Sequence, residues 1–153
     1  MEYQIRNATE ADLDALEALE KLCFSLPWTR GQLCAELPDG QHEFLVAEGP
    51  DGSVLGYLGM MTVLDEGYIS NVAVAPASRR RGIGRALVRE ILRRAEYREL
   101  GFVTLEVRAH NESAIALYAS EGFDPVGLRR DYYERPREDA LLMTRFLTQK
   151  DET

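Results

Sequence analysis

The sequence predicts a single α/β domain built on a mixed sheet of about seven strands with about four helices. Some short segments alternate apolar and polar residues, whereas others repeat apolar residues every three or four positions. These strand-like and helix-like segments follow one another along a chain of 153 residues, a length typical of one domain. We expect the domain to cover residues 1–148, with residues 149–153 forming a C-terminal tail.

Composition limits the classes of function. No apolar run approaches the roughly 20 residues that span a bilayer, and the first residues have no signal-peptide character, so we expect a cytoplasmic protein that does not contact membranes. A net charge of −8 argues against general nucleic-acid binding and favours a basic partner. With two histidines and no C-x-x-C pair, a metal site has little support, and Cys23 and Cys34 are expected to be buried free thiols. We expect a monomer or a weak dimer.

The N-terminal quarter reads as a strand at Glu2–Arg6 followed by two helices. Thr9 is the expected N-cap of the first helix. The apolar stripe of that helix consists of Leu13, Leu16, Leu19, Leu22 and Cys23. A capping box, Thr29-x-x-Gln32, begins a second helix that should end near Pro38. In the intervening loop, Phe24 and Trp28 could pack in the core or line an acceptor channel.

Five further strand segments surround the central one. A hairpin is expected from 43–48 and 54–63, because Gly49-Pro50-Asp51-Gly52 between them is a turn sequence. The segment 102–108 precedes a helix that Asn111 should cap and Gly122 should end. Two last strands, 125–129 and 140–146, should be joined by a connection over 131–139.

The segment from Tyr68 to Glu96 predicts a strand, a turn and a helix. Strict alternation places Tyr68, Ser70, Val72 and Val74 on one face of the strand and Ile69, Asn71 and Ala73 on the other. Pro76 cannot continue the ladder, so the strand should end before it. Helical spacing then starts at Ile83 and continues through Leu87, Ile91 and Ala95.

The turn between this strand and helix has the features of an anion site. The first N–H groups of a helix lack intrahelical partners, and Gly82 and Gly84 allow an anion to approach the backbone closely. Eight of the 18 basic residues lie between Arg79 and Arg98. The alternative is a solvated arginine face. The turn is not a P-loop, and it lacks the third glycine of a dinucleotide fingerprint.

Two side chains further along are candidates for proton transfer. Glu106 shares a strand face with Thr104 and Arg108, and it could either face water or act as a partly desolvated base. Asn111 and Tyr118 are seven residues apart and so lie on one helix face. A tyrosine at this place could be a core residue or could donate a proton to a leaving thiolate, and Asn111 could serve as an N-cap alone or also touch a ligand.

Arg79-x-x-Gly82-x-Gly84 resembles the R/Q-x-x-G-x-G/A loop of the GNAT family of acetyl-CoA-dependent N-acetyltransferases. Other motifs resemble its RimI-like branch, the ribosomal-protein-alanine N-acetyltransferases. These motifs are Leu26-Pro27-Trp28, Leu64-Asp65-Glu66, Leu105-Glu106-Val107-Arg108-Ala109-x-Asn111, Ala114-Ile115-x-Leu117-Tyr118-x-x-x-Gly122-Phe123, Arg129-Arg130-Asp131-Tyr132-Tyr133 and Arg137-Glu138-Asp139-Ala140. Together they cover nearly the whole chain.

The resemblance implies the GNAT fold and a role for each site residue. Glu106 would accept a proton from the incoming amine through water, and Tyr118 would protonate the CoA sulfur. The residues implied in binding acetyl-CoA are Val72, Ala73, Val74, Arg79, Arg80, Arg81, Gly82, Ile83, Gly84, Arg85 and Asn111. Trp28, Tyr132 and Tyr133 would contact the acceptor, and no metal is required.

The expected function is direct transfer of acetyl from acetyl-CoA to a protein N-terminal α-amine, with a basic ribosomal protein as acceptor. The connection between Tyr133 and Arg137 is shorter than in the family, which bears on peptide preference. One alternative acceptor is a lysine side chain, a polyamine or an aminoglycoside. Alternatives of other classes are a non-catalytic CoA-binding sensor or scaffold and a nucleic-acid binder that uses Arg79 to Arg81.

Overall fold

A computed structural model describes residues 2–147. Within that range the chain forms seven strands and four helices. In chain order they are β1 (Gln4–Asn7), α1 (Leu13–Cys23), α2 (Arg30–Ala35), β2 (His42–Glu48), β3 (Val54–Val63), β4 (Glu66–Val74), α3 (Ile83–Tyr97), β5 (Phe102–Arg108), α4 (Glu112–Ser120), β6 (Asp124–Tyr133) and β7 (Glu138–Phe146). The predicted tail, 149–153, lies outside the described residues.

The strands form one mixed sheet in the order β1-β2-β3-β4-β5-β7-β6. Only β4 and β5 run parallel, because α3 carries the chain back across the sheet between them, whereas the remaining pairs are antiparallel. The predicted α/β class and its single β-α-β crossover are therefore confirmed.

Helices cover both faces of the sheet and create two apolar clusters. On one face, α3 buries Ile83, Leu87 and Ile91 against the sheet, and α4 adds Tyr118. On the other face, α1 and α2 pack over a second cluster that contains Phe44 and Tyr57. Each large side chain buried in this way stabilises the fold by about 1.5–3 kcal/mol.

The face assignment predicted for β4 is wrong in its first half. A β-bulge interrupts the β3–β4 ladder, since Met60 pairs with Ile69 and Gly59 pairs with Asn71. Ser70 is the additional residue, and it reverses the alternation. Consequently Ile69 shares the α3 face with Val72 and Val74, whereas Asn71 remains on the face of Ala73.

The two parallel strands separate soon after they meet. Their ladder holds only three residue pairs and ends at Tyr68 and Thr104, although β4 continues to Val74 and β5 to Arg108. A cleft therefore opens between the second halves of β4 and β5.

Two other predictions need correction. The 131–139 segment is not a loop, because β6 extends to Tyr133 and β7 begins at Glu138, with these two residues paired across the hairpin. Tyrosines favour extended backbone, which accounts for the longer strand. The cysteines are free as expected, but Cys34 is exposed and Cys23 is only partly buried.

Candidate active site

The backbone of β4 lines one side of the cleft. Ala75 N–H donates to Leu55 carbonyl at 2.8 Å, and hydrogen-bonded pairs alternate along an antiparallel ladder. Ala73 therefore directs its backbone groups toward β3, whereas Val72 and Val74 direct theirs toward the cleft. The Val74 carbonyl is already taken by Arg79, whose Nε lies 3.0 Å away.

The turn after β4 exposes the N-terminal N–H groups of α3. Gly82 adopts the left-handed conformation, with φ of 79°, immediately before the helix. A β-carbon on Gly84 would make only an ordinary van der Waals contact, 3.4 Å from Leu117 Cδ2 on α4. Arg80 and Arg81 are exposed at this turn. The turn thus combines open backbone donors with positive charge.

Most arginines of α3 are occupied by carboxylates. Arg85 contacts Glu121 at 2.5 Å and the Ser120 hydroxyl at 2.8 Å, so its guanidinium points toward α4. The other pairs are Arg89–Glu121, Arg93–Glu90, Arg94–Glu90, Arg94–Glu43 and Arg98–Glu43. Much of the positive charge concentrated in the sequence is therefore neutralised within the fold.

Glu106 lies on β5 at the cleft, and its side chain is 6% exposed. The Tyr68 hydroxyl donates to its Oε1, and Arg129 Nε lies 2.9 Å from its Oε2. Burial, followed by the hydrogen bond to Glu106, raises the pKa of Tyr68, so that hydroxyl stays a donor. Neither Tyr68 nor Arg129 was expected from the sequence as a partner of Glu106.

Tyr118 is buried between α4 and the sheet, with its ring edge-on to Phe123 at 5.8 Å. Burial raises the pKa of Tyr118 to about 12, so the hydroxyl is protonated at neutral pH. Asn111 caps α4 as expected, because its Oδ1 accepts from Ala114 N–H at 3.2 Å.

Two tyrosines at the end of β6 lie near the candidate acid and base. Tyr133 interacts electrostatically with both Glu106 and Tyr118, and burial is the largest cause of the raised pKa of Tyr133. Arg108 stacks over the Tyr133 ring at 4.4 Å. Tyr132 contacts Tyr133 edge-on at 5.1 Å and is about half exposed, which leaves it accessible to an acceptor.

A buried carboxylate that the sequence analysis missed joins the loop of Trp28 to β4. Glu20, 1% exposed, accepts from the Trp28 N–H at 2.6 Å and from Asn71 Nδ2 at 2.9 Å. Asn71 Nδ2 also donates to the Tyr57 hydroxyl at 2.8 Å. Burial raises the pKa of Glu20, which these hydrogen bonds partly offset. The sequence did contain one signal that Glu20 is buried, because it lies four residues after Leu16 on the apolar stripe of the helix.

The loop that carries Trp28 also meets the β6–β7 turn. The Ser25 hydroxyl donates to the Arg135 carbonyl at 2.6 Å, which joins these two segments beside the cleft. Trp28 itself is partly buried against the second apolar cluster. Residues 2–147 contain no group of three or more potential metal ligands. No helix in the same range has the length and apolarity needed to cross a bilayer.

Comparison with known proteins identifies this architecture. The model of the acetyltransferase (GNAT) family matches residues 13–123, a range that includes the central strand, the glycine turn, Glu106 and Tyr118. The chain belongs to the GNAT acetyltransferase family. As a GNAT enzyme it transfers an acetyl group from acetyl-CoA to an amine, which confirms the expected reaction class.

Individual relatives match most of the chain. The ribosomal protein bS18-alanine N-acetyltransferase of Escherichia coli is 34% identical over 141 residues, which are 91% of this chain and 94% of that protein. The N-alpha-acetyltransferase RimI of Mycobacterium tuberculosis is 38% identical over 143 residues, covering 90% and 88%. A crystal structure of the corresponding Escherichia coli enzyme superposes with a TM-score of 0.91 at 31% identity, covering 99% of this chain and 97% of that one. The resemblance to the RimI-like branch is thus confirmed.

Proposed function

We propose that this GNAT enzyme acetylates the N-terminal α-amine of a protein, with the N-terminal alanine of a small-subunit ribosomal protein as its acceptor. The separation of β4 from β5 carries the proposal, because it leaves backbone donors, a buried carboxylate and a buried phenol around one cleft. The relative named bS18-alanine N-acetyltransferase and the one named N-alpha-acetyltransferase RimI each match about nine-tenths of this chain.

Successive parts of acetyl-CoA would bind along β4 and the turn that follows it. The backbone N–H and carbonyl of Val72 point into the cleft and not toward β3. They would pair with the pantetheine arm, and the N–H would donate to the thioester carbonyl. The N–H groups of Ile83, Gly84 and Arg85 would bind the pyrophosphate, with Arg80 and Arg81 beside them. Asn111 would touch the pantetheine arm. The Arg85 guanidinium is paired with Glu121. Arg85 would therefore contribute its backbone N–H to this site, and not its guanidinium.

The chemical step needs one proton acceptor and one proton donor. The α-amine attacks the thioester carbonyl, Glu106 takes a proton from the amine through water, and the carbon–sulfur bond breaks. Tyr118 then gives its hydroxyl proton to the departing CoA sulfur, a role that its raised pKa of about 12 supports because the hydroxyl stays protonated. The Val72 N–H would stabilise the tetrahedral oxyanion.

Charge supports a basic peptide as the acceptor. The protein has a net charge of −8, and the arginines of α3 are largely paired with its own carboxylates. An α-amine has a pKa of about 8 against about 10.4 for lysine, so a carboxylate base suffices to free it for attack. Trp28, Tyr132 and Tyr133 would border the peptide.

The test is CoA thiol release from acetyl-CoA with a basic peptide that begins Ala-Arg. The control peptide has a blocked α-amine and one free lysine. We expect release with the free α-amine alone. Release with both peptides would assign lysine or small amines as acceptors, and release with neither, while acetyl-CoA still binds, would overturn the proposed acceptor.

A further inference from the structure

Both oxygens of Glu106 are occupied before any acceptor arrives. Oε1 accepts from the Tyr68 hydroxyl, and Oε2 pairs with Arg129 Nε at 2.9 Å. A carboxylate can take a proton from an amine, directly or through one water, only where an oxygen faces that amine or water. Each carboxylate oxygen can accept a second hydrogen bond, but the side chain is only 6% exposed, so an acceptor that approaches Glu106 competes for its oxygens with Tyr68 and Arg129.

The two partners differ in how easily they can leave. Tyr68 is half-buried and lies on a central strand, in the last pair of the β4–β5 ladder. The Arg129 side chain is 55% exposed on β6, the edge strand, where the β6–β7 register becomes irregular. Its guanidinium also lies 5.9 Å from the Tyr132 ring, which offers a second position for the charge. Arg129 is thus the partner that can move.

A second cation must replace Arg129 when it moves. The Glu106 side chain is almost fully buried, and removing the partner of a buried carboxylate is strongly destabilising. Among the residues that the structure describes, Arg129 is the only cation within ion-pair distance of Glu106. An ammonium group carries the same charge as the guanidinium and is smaller.

We propose that Arg129 is an exchangeable counter-ion of Glu106, and that the acceptor's α-ammonium displaces it on binding. This inference rests on the proposed function. Arg129 is then a positioning residue: it holds the carboxylate in the cleft until an acceptor ammonium takes its place. The bound ammonium loses one proton to water, the free amine attacks the thioester carbonyl, and Glu106 accepts the second proton, which the nitrogen of the tetrahedral intermediate gives up. A blocked N-terminus carries no positive charge, so it leaves the Arg129–Glu106 ion pair intact.

The groups that face Glu106 define what the test must control. Tyr68 reaches it from β4, and Arg129, Tyr132 and Tyr133 lie near it from β6. Its neighbour across the ladder on β7 is Leu142, which has no charge. Arg129 is therefore the group whose removal changes the charge at the carboxylate.

The experiment compares Arg129→Gln, Arg129→Lys and the matched control Arg130→Gln, which removes the same charge from the next residue of β6. We expect Arg129→Gln to lower the KM for the Ala-Arg peptide several-fold, because no side-chain cation then competes with the α-ammonium for Glu106. Arg129→Lys keeps a competing cation and should retain the wild-type KM, and Arg130→Gln should match the wild type.

A second readout needs no turnover. The ¹⁵Nε–¹Hε resonance of Arg129 is followed as the CoA-loaded wild type binds the Ala-Arg peptide or its α-blocked counterpart, and it should shift with the free α-amine only. Equal KM values for Arg129→Gln and Arg130→Gln would overturn the exchange. So would a higher KM in Arg129→Gln, because Arg129 would then be a contact for the acceptor. A wild-type enzyme that is inactive on every α-amine peptide would instead contradict the proposed function, and the resonance would still decide the role of Arg129.

Discussion

Replacing Asn71 by aspartate should place two carboxylates in contact beneath the cleft. Asn71 Nδ2 lies 2.9 Å from Glu20 Oε2, and Glu20 is 1% exposed. Two full charges at that distance repel by about 6 kcal/mol at an effective dielectric constant of about 20. Binding one proton to the pair costs less, about 1.4 kcal/mol for each pH unit between an ordinary carboxyl pKa of about 4 and pH 7. The pair should therefore hold a proton.

The expected loss of stability follows from the free-energy cost of binding that proton at pH 7. Part of the cost is already present in the wild type, because burial raises the pKa of Glu20. Asn71→Asp should thus lower the free energy of unfolding by between about 2 and 4 kcal/mol at pH 7. The folded pair binds its proton more tightly than the unfolded chain does, so stability is retained below about pH 4 and lost as the pH rises toward 7.

Urea unfolding at pH 4, 5.5 and 7 measures this dependence. The matched rescue is Glu20→Gln/Asn71→Asp, in which the introduced amide donates to the introduced carboxylate while its oxygen still accepts from Trp28 N–H. We expect the double variant to recover most of the stability at pH 7. A single variant that matches the wild type at every pH, or a double variant no more stable than the single one, would refute the reasoning.

Three further predictions concern the cleft itself. Glu106→Gln should lower kcat by about 100-fold or more, most strongly below the pKa of the acceptor amine, and CoA release that is unchanged across pH would exclude Glu106 as the base. Tyr118→Phe should lower kcat without moving either limb of the pH profile between about pH 6 and 9, because the raised pKa of about 12 keeps the wild-type hydroxyl protonated there; the loss of a basic limb in this variant would contradict that assignment. Gly56→Ala would place a β-carbon 2.8 Å from the Ala73 carbonyl, so urea unfolding should report a loss of about 1–3 kcal/mol. Gly40→Ala, where no atom lies within 4 Å, is the control and should be neutral.

The sequence was most informative where one local rule decides the structure. Gly82 precedes helical spacing, and the structure gives it the left-handed backbone that glycine adopts most readily. Ser70 was not recognised as a bulge residue, because a bulge is defined by its pairing with β3, and the two adjacent polar residues Ser70 and Asn71 do not by themselves indicate one. The partners of Glu106 were also out of reach. Tyr68 and Arg129 come from strands on either side of β5 in the sheet, and only the fold brings them to it.

The bulge and the cleft have a common cause in the position of β4. This strand is where the sheet changes from antiparallel to parallel pairing, and a bulge increases strand twist just where β5 must separate from it. Side chains from the α1–α2 face hold the bulge. Glu36 accepts from the Ser70 hydroxyl at 3.1 Å, and Glu20 accepts from Asn71. Because Glu20 also binds the Trp28 N–H, one buried carboxylate joins the β4 wall of the cleft to the loop that carries Trp28. A change in α1 that disturbs Glu20 should therefore affect both substrates, whereas a change on the solvent face of the same helix should affect neither.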